Sequence, residues 1–180
     1  MKPLLRLFCL SSLFCSVNAL ADSMEFGLSN DMVEAVYQSD FGKNYNMRFN
    51  YLHADQDEFK SNSFGGGIYA QGKSGRFTSN LGGKVYWMEG SHTRSYGIAL
   101  GGSVAFAITP EFSVAAGLLA SPNIINGGDY ERLYDVDIRA SYKVMQHASL
   151  FLAYRDSEAT ADDFDFEIYK GAVLGFKFAM

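Results

Sequence analysis

Three histidines are the residues of this sequence best suited to acid–base or metal chemistry. His92 lies between Ser91 and Thr93. A Ser/His pair can serve a hydrolase acting on lipid, but catalysis needs a nucleophile, a base, an orienting group and an oxyanion site in mutual contact. Adjacent residues cannot face each other in that way, and no orienting partner is identifiable. We therefore predict no catalytic residue and interpret His92 as a polar loop residue.

Potential metal ligands occur at two places in the chain. His53 stands near Asp55 and Asp57, at a spacing that fits no recognised ligand set. Carboxylates suited to Ca²⁺ or Mg²⁺ crowd the segment 156–167, but the spacing of an EF-hand is absent. We interpret this segment as a solvated, charged loop, and the sequence predicts no metal site. His147 falls in a short turn, where we expect it to face solvent.

The first 21 residues have the pattern of an export signal. Lys2 and Arg6 precede an uncharged apolar run over residues 7–17, and small residues follow at 19 and 21, where a signal peptidase reads. The run is shorter than the roughly 20 residues of a membrane-spanning helix. We predict a cleaved signal peptide over residues 1–21 and a single mature domain over residues 22–180.

Removal of this leader changes the composition of the chain. The mature chain has 180 − 21 = 159 residues, and loss of the two leader cations takes its formal charge from −5 to −7. Cys9 and Cys15 are lost with the leader, so disulfide and thiol chemistry are not expected. The acidic balance disfavours a nucleic-acid partner. Gly65-Gly66-Gly67 lacks the Lys-Ser/Thr of a phosphate loop, and no cofactor is predicted.

Alternation of apolar and polar residues is the strongest structural signal. It runs over residues 44–51, 96–106 and 134–144 with a period of two, which indicates strands with one apolar face. The same criteria give ten candidate strands, at 24–30, 32–39, 44–53, 63–71, 77–88, 95–107, 111–119, 130–144, 148–155 and 167–178. The first two are short, so an eight-stranded barrel with an N-terminal hairpin or plug is the fallback.

The connections also alternate in length. Short turns at 40–43, 72–76, 108–110 and 145–147 are interleaved with connections at 54–62, 89–94, 120–129 and 156–166, which are mostly longer and more polar. Tight periplasmic turns and longer external loops are typical of outer-membrane barrels. The fold class predicted is all-β: a single antiparallel up-and-down transmembrane β-barrel with about ten strands.

Aromatic residues of the apolar register fall near the two ends of the strands. Aliphatic residues lie between them, as on a lipid-facing surface. Ten residues at about 3.3 Å each and a tilt near 40° give a band of about 25 Å. The predicted belt residues are Tyr51, Trp87, Tyr96, Tyr134 and Tyr154 near the long connections and Tyr45, Phe77, Phe106, Phe112, Tyr142 and Phe178 near the short turns.

The opposite register mixes small residues with charges of both signs. A barrel of eight to ten strands has an interior only wide enough for side chains, so we expect a filled lumen rather than an open pore. A soluble periplasmic barrel that binds a small apolar ligand remains an alternative at this point. The predicted lumen residues are Arg48, Lys84, Asp135, Asp137, Arg139 and Lys143.

Several short motifs resemble the YfaZ-type outer-membrane proteins. They are Leu81-Gly82-Gly83-Lys84-Val85-Tyr86, Ala99-Leu100-Gly101-Gly102 with Phe112, Ser121-Pro122, Ala140-Ser141-Tyr142-Lys143-Val144-Met145 and Ala153-Tyr154-Arg155. The resemblance is best over residues 81–155, and order and spacing carry it. It implies an outer-membrane location and supplies no catalytic residues.

These observations predict a non-enzymatic outer-membrane barrel with a structural, surface-interaction or limited permeability role. The expected partners are membrane lipid, lipopolysaccharide and the barrel assembly machinery. The last of these is expected because Leu174, Phe176 and Phe178 alternate up to the carboxy terminus, as in the signal that this machinery reads. We expect a monomer. The alternative is a lipid-modifying enzyme of the outer membrane that uses His92 or a loop serine.

Overall fold

Strands make up most of the structure. A computed structural model describes residues 22–56, 59–90, 94–121, 126–128, 132–161 and 164–180. The strands are β1 (Asp22–Leu28), β2 (Met32–Phe41), β3 (Tyr45–Gln56), β4 (Phe59–Ser74), β5 (Phe77–Gly90), β6 (Arg94–Ala107), β7 (Phe112–Ser121), β8 (Asn126–Gly128), β9 (Arg132–Met145), β10 (Ala148–Ala161) and β11 (Phe164–Ala179). The described part of the chain holds no helix long and apolar enough to cross a membrane. The predicted signal peptide lies outside the described residues.

Ten of these strands form a closed antiparallel ring. Each strand pairs with its neighbour in sequence, β7 pairs with β9, and β1 closes the ring by pairing with β11 from Ser23↔Ala179 to Leu28↔Leu174. The three-residue β8 pairs with the end of β6 and lies outside the ring. The prediction of a ten-stranded barrel is confirmed. The eight-stranded fallback is wrong, because β1 and β2 are full members of the wall.

The apolar register points outward. Large hydrophobic side chains along the wall are exposed, including Leu81 at 71%, Leu174 at 62% and Ile138 at 61%. The polar register points inward, and Asn46, Lys84 and Asp135 in it are buried. A soluble lipocalin-like barrel requires the reverse arrangement, with apolar residues lining the interior and polar residues outside. The orientation therefore does not fit that alternative.

The hairpins at one end extend further than their sequence pattern indicates. β3 and β4 remain paired to Gln56↔Phe59, and β10 and β11 to Ala161↔Phe164. The predictions of loops at 54–62 and 156–166 are therefore wrong, because backbone pairing continues where the apolar alternation stops. Asp156 and Glu158 belong to β10, and Lys170 on β11 lies 2.6 Å from a carboxylate oxygen of Asp156.

Two paired glycines on β5 and β6 allow the flanking strands β4 and β7 to approach closely. Gly82 and Gly101 are opposite each other. A Cβ atom on Gly101 would overlap the carbonyl oxygen of Leu118 on β7, and Gly101 has a φ of +157°. A Cβ atom on Gly82 would overlap the carbonyl oxygen of Ile68 on β4. These glycines allow β4 to β7 to pack as one continuous wall.

Candidate functional site: the barrel interior

A layer of buried ion pairs crosses the middle of the barrel. Arg155 on β10 donates from Nε and Nη2 to both carboxylate oxygens of Asp135 on β9, at 2.8 and 2.5 Å. Its Nη1 donates to Glu34 on β2 at 2.8 Å, across the lumen. Lys84 on β5 lies 3.9 Å from Asp135. Charges of opposite sign are tolerated at such depth because they are paired with good geometry.

A second group of ion pairs lies closer to the short turns. Glu25 on β1 accepts hydrogen bonds from Arg139 at 2.5 Å and from Lys177 at 2.8 Å. The guanidinium of Arg139 also lies 4.2 Å from the ring centroid of Phe151 and 4.0 Å from Asp137. Glu25 thereby connects β1, β9 and β11 inside the barrel.

Apolar side chains fill the interior at the long-hairpin end. We call this set the outer plug. A β-bulge opposite Ser157 and Glu158 turns both Ile168 and Tyr169 of β11 inward, where they are 2% and 3% exposed. A cavity of about 20 Å³ lies between the outer plug and the ion-pair layer, which is room for one water molecule. The outer plug comprises Met32, Leu52, Ala54, Tyr86, Met88, Leu133, Ala159, Ile168 and Tyr169.

A polar chamber occupies the interior on the other side of the ion-pair layer. Its volume is about 250 Å³. The space exists because β6 and β7 contribute several small residues to the wall, among them Ser103, Ala105, Ala115 and Gly117, with Leu119 of β7 also in the lining. Lys177 and Asp137 in its wall have side chains 37% and 36% exposed, so the chamber is open to solvent from the short-turn end.

Five of the six predicted lumen residues line this chamber. They are Arg48, Lys84, Asp135, Asp137 and Arg139. Lys143 shares their register on β9, but it is exposed at the short-turn end and lies outside the chamber lining. The prediction that Lys143 is part of a filled lumen does not match its position, because the strand continues past the interior before it turns.

The predicted belt residues lie on the outer face. Trp87 and Tyr96 stack across β5 and β6 with ring centroids 6.2 Å apart, and Phe77 and Phe106 contact at 4.7 Å at the other end of the same hairpin. Tyr51 contacts Phe64 at 4.7 Å. Tyr51, Phe106 and Phe112 are half-buried, and the other predicted belt residues, Tyr45, Phe77, Trp87, Tyr96, Tyr134, Tyr142, Tyr154 and Phe178, are exposed.

The histidines are separate from these groups. His53 lies on the outer face of β3, and its Nδ1 is 3.0 Å from the amide oxygen of Asn62. His147 is exposed in the turn between β9 and β10. The Ser91-His92-Thr93 segment lies outside the described residues, as do Asp57, Asp162 and Asp163. Over the described ranges, no three potential metal ligands converge.

The sequence prediction missed four of the nine charged residues that line the chamber and all of the outer plug. Three of the missed charges, Glu25, Glu34 and Lys177, each stand between two apolar residues, which is the signal that could have placed them inside. The fourth, Arg155, has Tyr154 on one side and Asp156 on the other, so its local pattern is weaker. The plug residues Leu52, Met88 and Leu133 occupy the polar register. Apolar residues in that register indicate an apolar interior at that height of the wall.

The sequence matches the model of a known protein family over almost its whole length. The model of the YfaZ precursor family matches residues 2–180. The chain belongs to the YfaZ precursor family. Membership confirms the resemblance seen in the strand motifs. No curated protein matches the sequence.

Solved structures share the barrel fold at low sequence identity. The outer membrane protease OmpT from Escherichia coli has a TM-score of 0.56 at 10% identity, with 89% of this chain and 93% of that chain covered. A bacterial polysaccharide outer membrane secretin has a TM-score of 0.50 at 10% identity, covering 87% of this chain. This chain spans 57% of the secretin's length. The KdgM porin has a TM-score of 0.49 at 10% identity, with coverages of 89% and 99%. The likeness of this YfaZ-family chain to the protease and the secretin shows the fold alone.

Proposed function

We propose that this YfaZ-family protein is a non-enzymatic barrel of the outer membrane whose lumen is closed to the passage of solutes. The outer plug carries the proposal, because inward apolar side chains such as Met88 and Leu133 fill the barrel at the long-hairpin end. The ion pairs of Arg155 lie directly below them. An ion would have to cross apolar packing and displace buried ion pairs to pass.

The outer face supports the membrane location. Aliphatic residues such as Leu81 and Val85 are exposed between the aromatic pair Phe77–Phe106 and the aromatic pair Trp87–Tyr96. Exposure of so many large apolar side chains is unfavourable in water and favourable against lipid chains. The family and the shared fold of outer-membrane barrels agree with this location.

The long hairpins support a role at the cell surface. Beyond the outer aromatic pairs they carry exposed ion pairs, Lys60 with Asp55 at 2.6 Å and Arg94 with Glu89 at 2.8 Å. In the outer membrane, these polar hairpin ends would lie among the sugars and phosphates of lipopolysaccharide. We propose that the hairpin ends contact lipopolysaccharide there. Because β1 and β11 close the sheet, no barrel edge is left to recruit a second copy, and we propose a monomer.

The lipid-enzyme alternative gains no support from the described residues. His53 contacts an amide and His147 stands in a turn, and neither has a nucleophile and an orienting acid beside it. The likeness to a protease is one of fold only. Unchanged lipid A after deletion and after overexpression of the gene is the expected result, and altered lipid A acylation would favour the enzyme.

Ion conductance of the purified protein in a planar bilayer tests the proposed closure. We expect insertion without steady current steps at either polarity. Stable, reproducible open levels in the wild-type protein would contradict it. Insertion is verified in parallel by recovery in the outer-membrane fraction and by heat-modifiable migration on a gel. Recovery as a freely soluble periplasmic protein would overturn the location.

A further inference from the structure

The chamber wall contains more cationic than anionic groups. Its lining holds five cations, Arg48, Lys84, Arg139, Arg155 and Lys177, and four carboxylates, Glu25, Glu34, Asp135 and Asp137. Three of the cations, Arg139, Arg155 and Lys177, are hydrogen-bonded to carboxylates. Their partners are three of the carboxylates, so two cations, Arg48 and Lys84, remain against one carboxylate, Asp137, and the excess of one positive charge lies with this remainder.

Arg48 has no carboxylate partner among the described residues. Its Nη2 donates to the amide oxygen of Gln38 at 3.0 Å, and its guanidinium lies over the ring of Tyr69 at 5.3 Å. Its Nε is buried without a hydrogen-bond partner in the described structure. A neutral amide and a ring face leave the charge of this guanidinium uncompensated.

Lys84 is only weakly paired. Its side chain is 10% exposed, yet its Nζ makes no hydrogen bond in the described part of the chain and lies 3.9 Å from Asp135. Both oxygens of Asp135 already accept hydrogen bonds from Arg155. An ammonium group so deeply placed has three donors to satisfy.

The two cations lie in one cross-strand row. Arg48 on β3 and Lys84 on β5 are both opposite Gly67 on β4, and all three belong to the inward register. Gly67 adds no side chain of its own, and the ring of Tyr69 covers its position between the two strands. Two neighbouring strand spacings separate the backbones of Arg48 and Lys84 by about 10 Å. Both side chains line the chamber together with Tyr69, so a small ligand in the chamber can contact both.

We propose that the chamber binds a small oxyanion, a phosphate or carboxylate group, through Arg48 and Lys84. An oxyanion accepts hydrogen bonds from a guanidinium and an ammonium together, which is the combination left unsatisfied here. The ligand enters from the short-turn end, where Lys177 and Asp137 are accessible. The volume of about 250 Å³ limits it to a small molecule.

Calorimetric titration of the refolded barrel in detergent tests the chamber with inorganic phosphate and, separately, sodium acetate. Sodium chloride at equal ionic strength is the control. We expect saturable phosphate or acetate binding without a matching chloride signal, and the tighter of the two assigns the ligand as phosphate-like or carboxylate-like. Arg48→Gln and Lys84→Met are each expected to weaken binding at least about tenfold. Arg48→Lys should recover part of it.

Lys143→Gln is the matched control, because it removes a cation of the same register outside the chamber. It should leave binding unchanged. Binding no stronger than that of chloride, or equal loss in Lys143→Gln, would overturn the proposal. Undiminished binding in Lys84→Met would also overturn the proposal. This second variant keeps the test valid if Arg48→Gln fails to fold. This result can be distinguished from that of the conductance test. If the protein binds no oxyanion and also gives no current in a planar bilayer, the oxyanion site is rejected while the proposed closed barrel stands.

Discussion

Arg155 and Asp135 form a two-point ion pair inside the barrel, with Nε–Oδ1 and Nη2–Oδ2 distances of 2.8 and 2.5 Å. The pair joins β9 to β10, and a third bond from the same guanidinium reaches Glu34 on β2 at 2.8 Å. One side chain thus links strands from both ends of the sequence. It also keeps two carboxylates compensated at a depth where neither could stay charged alone.

Replacement of Arg155 by methionine should be strongly destabilising. The substitution leaves Asp135 and Glu34 buried without their partner, which costs about 3–5 kcal/mol in the free energy of unfolding. Urea unfolding in lipid vesicles measures the loss. Arg94→Met, at an exposed pair, should change the free energy by about 1 kcal/mol or less. Adding Asp135→Asn and Glu34→Gln to Arg155→Met should restore part of the stability; no restoration would mean that burial of charge is not the cause.

A charge placed at mid-height on the outer face distinguishes a lipid-facing wall from a water-facing one. Leu81 and Met145 are equally exposed, at 71% and 72%, but Leu81 lies in the aliphatic band and Met145 at the end of β9. We expect Leu81→Arg to destabilise the protein in vesicles by about 2–4 kcal/mol and Met145→Arg by about 0–1 kcal/mol. Equal effects in urea titrations of the two variants would argue against a membrane-spanning band.

Hydration of the outer plug should open a path for ions. Met88 and Leu133 are 3% and 4% exposed within it, and replacing both by serine puts two hydroxyl groups and additional space into the apolar packing, which favours the entry of water. We expect resolvable current steps in a planar bilayer from the double variant and none from the wild type. Val136→Ser changes an outward residue of β9, the strand that also carries Leu133, and this control variant should give no current. A silent double variant that is correctly folded would place the barrier elsewhere.

Gly101 should not tolerate a methyl group. Its Cβ would overlap the Leu118 carbonyl oxygen, and the φ of +157° is unfavourable for other residues. Gly101→Ala should cost about 1–3 kcal/mol, seen as a smaller heat-modifiable fraction after refolding. Gly66→Ala, whose Cβ meets only the ring of Phe49 at 3.2 Å, is the control and should refold nearly as well as the wild type.

Cleavage of the leader before Asp22 is a prediction for the exported protein. Intact mass and N-terminal sequencing of the membrane fraction should give a chain that begins Asp-Ser-Met-Glu. Ala21→Phe places a bulky residue where the peptidase reads and should cause the precursor to accumulate, whereas Leu20→Gln, between the two reading positions, should be processed. A membrane-fraction protein that retains residues 1–21 would contradict the prediction.

The wall of the barrel was predictable because its pattern is local. Alternation around Tyr96–Phe106 and Tyr134–Val144 shows that each strand has one apolar and one polar face, and each of these strands was placed within a few residues. The aromatic residues near the strand ends then indicated that the apolar face points outward. Strand ends were less predictable. The hairpin over 54–62 becomes polar beyond the apolar band, so its residues look like loop while its backbone stays paired.

The interior was less predictable because its contacts are distant in sequence. Arg139 and Glu25 are 114 residues apart, and Arg155 and Glu34 are 121 apart, so neither pairing follows from local pattern. Leu52 and Leu133 interrupt a polar register, which indicates apolar packing inside, but the residues they pack against belong to other strands and do not follow from the local pattern. The uncompensated charge of Arg48 became visible only when its neighbours were known.

Closure between β1 and β11 has a consequence for biogenesis. The first and last strands pair with each other, so during export the first strand must wait for the carboxy-terminal one. Until then the sheet has two bare edges and an outward apolar surface, the two features that promote aggregation in water. For the export to the outer membrane that we propose, the topology therefore predicts a need for escort across the periplasm and for capture of the last strand at the moment of closure.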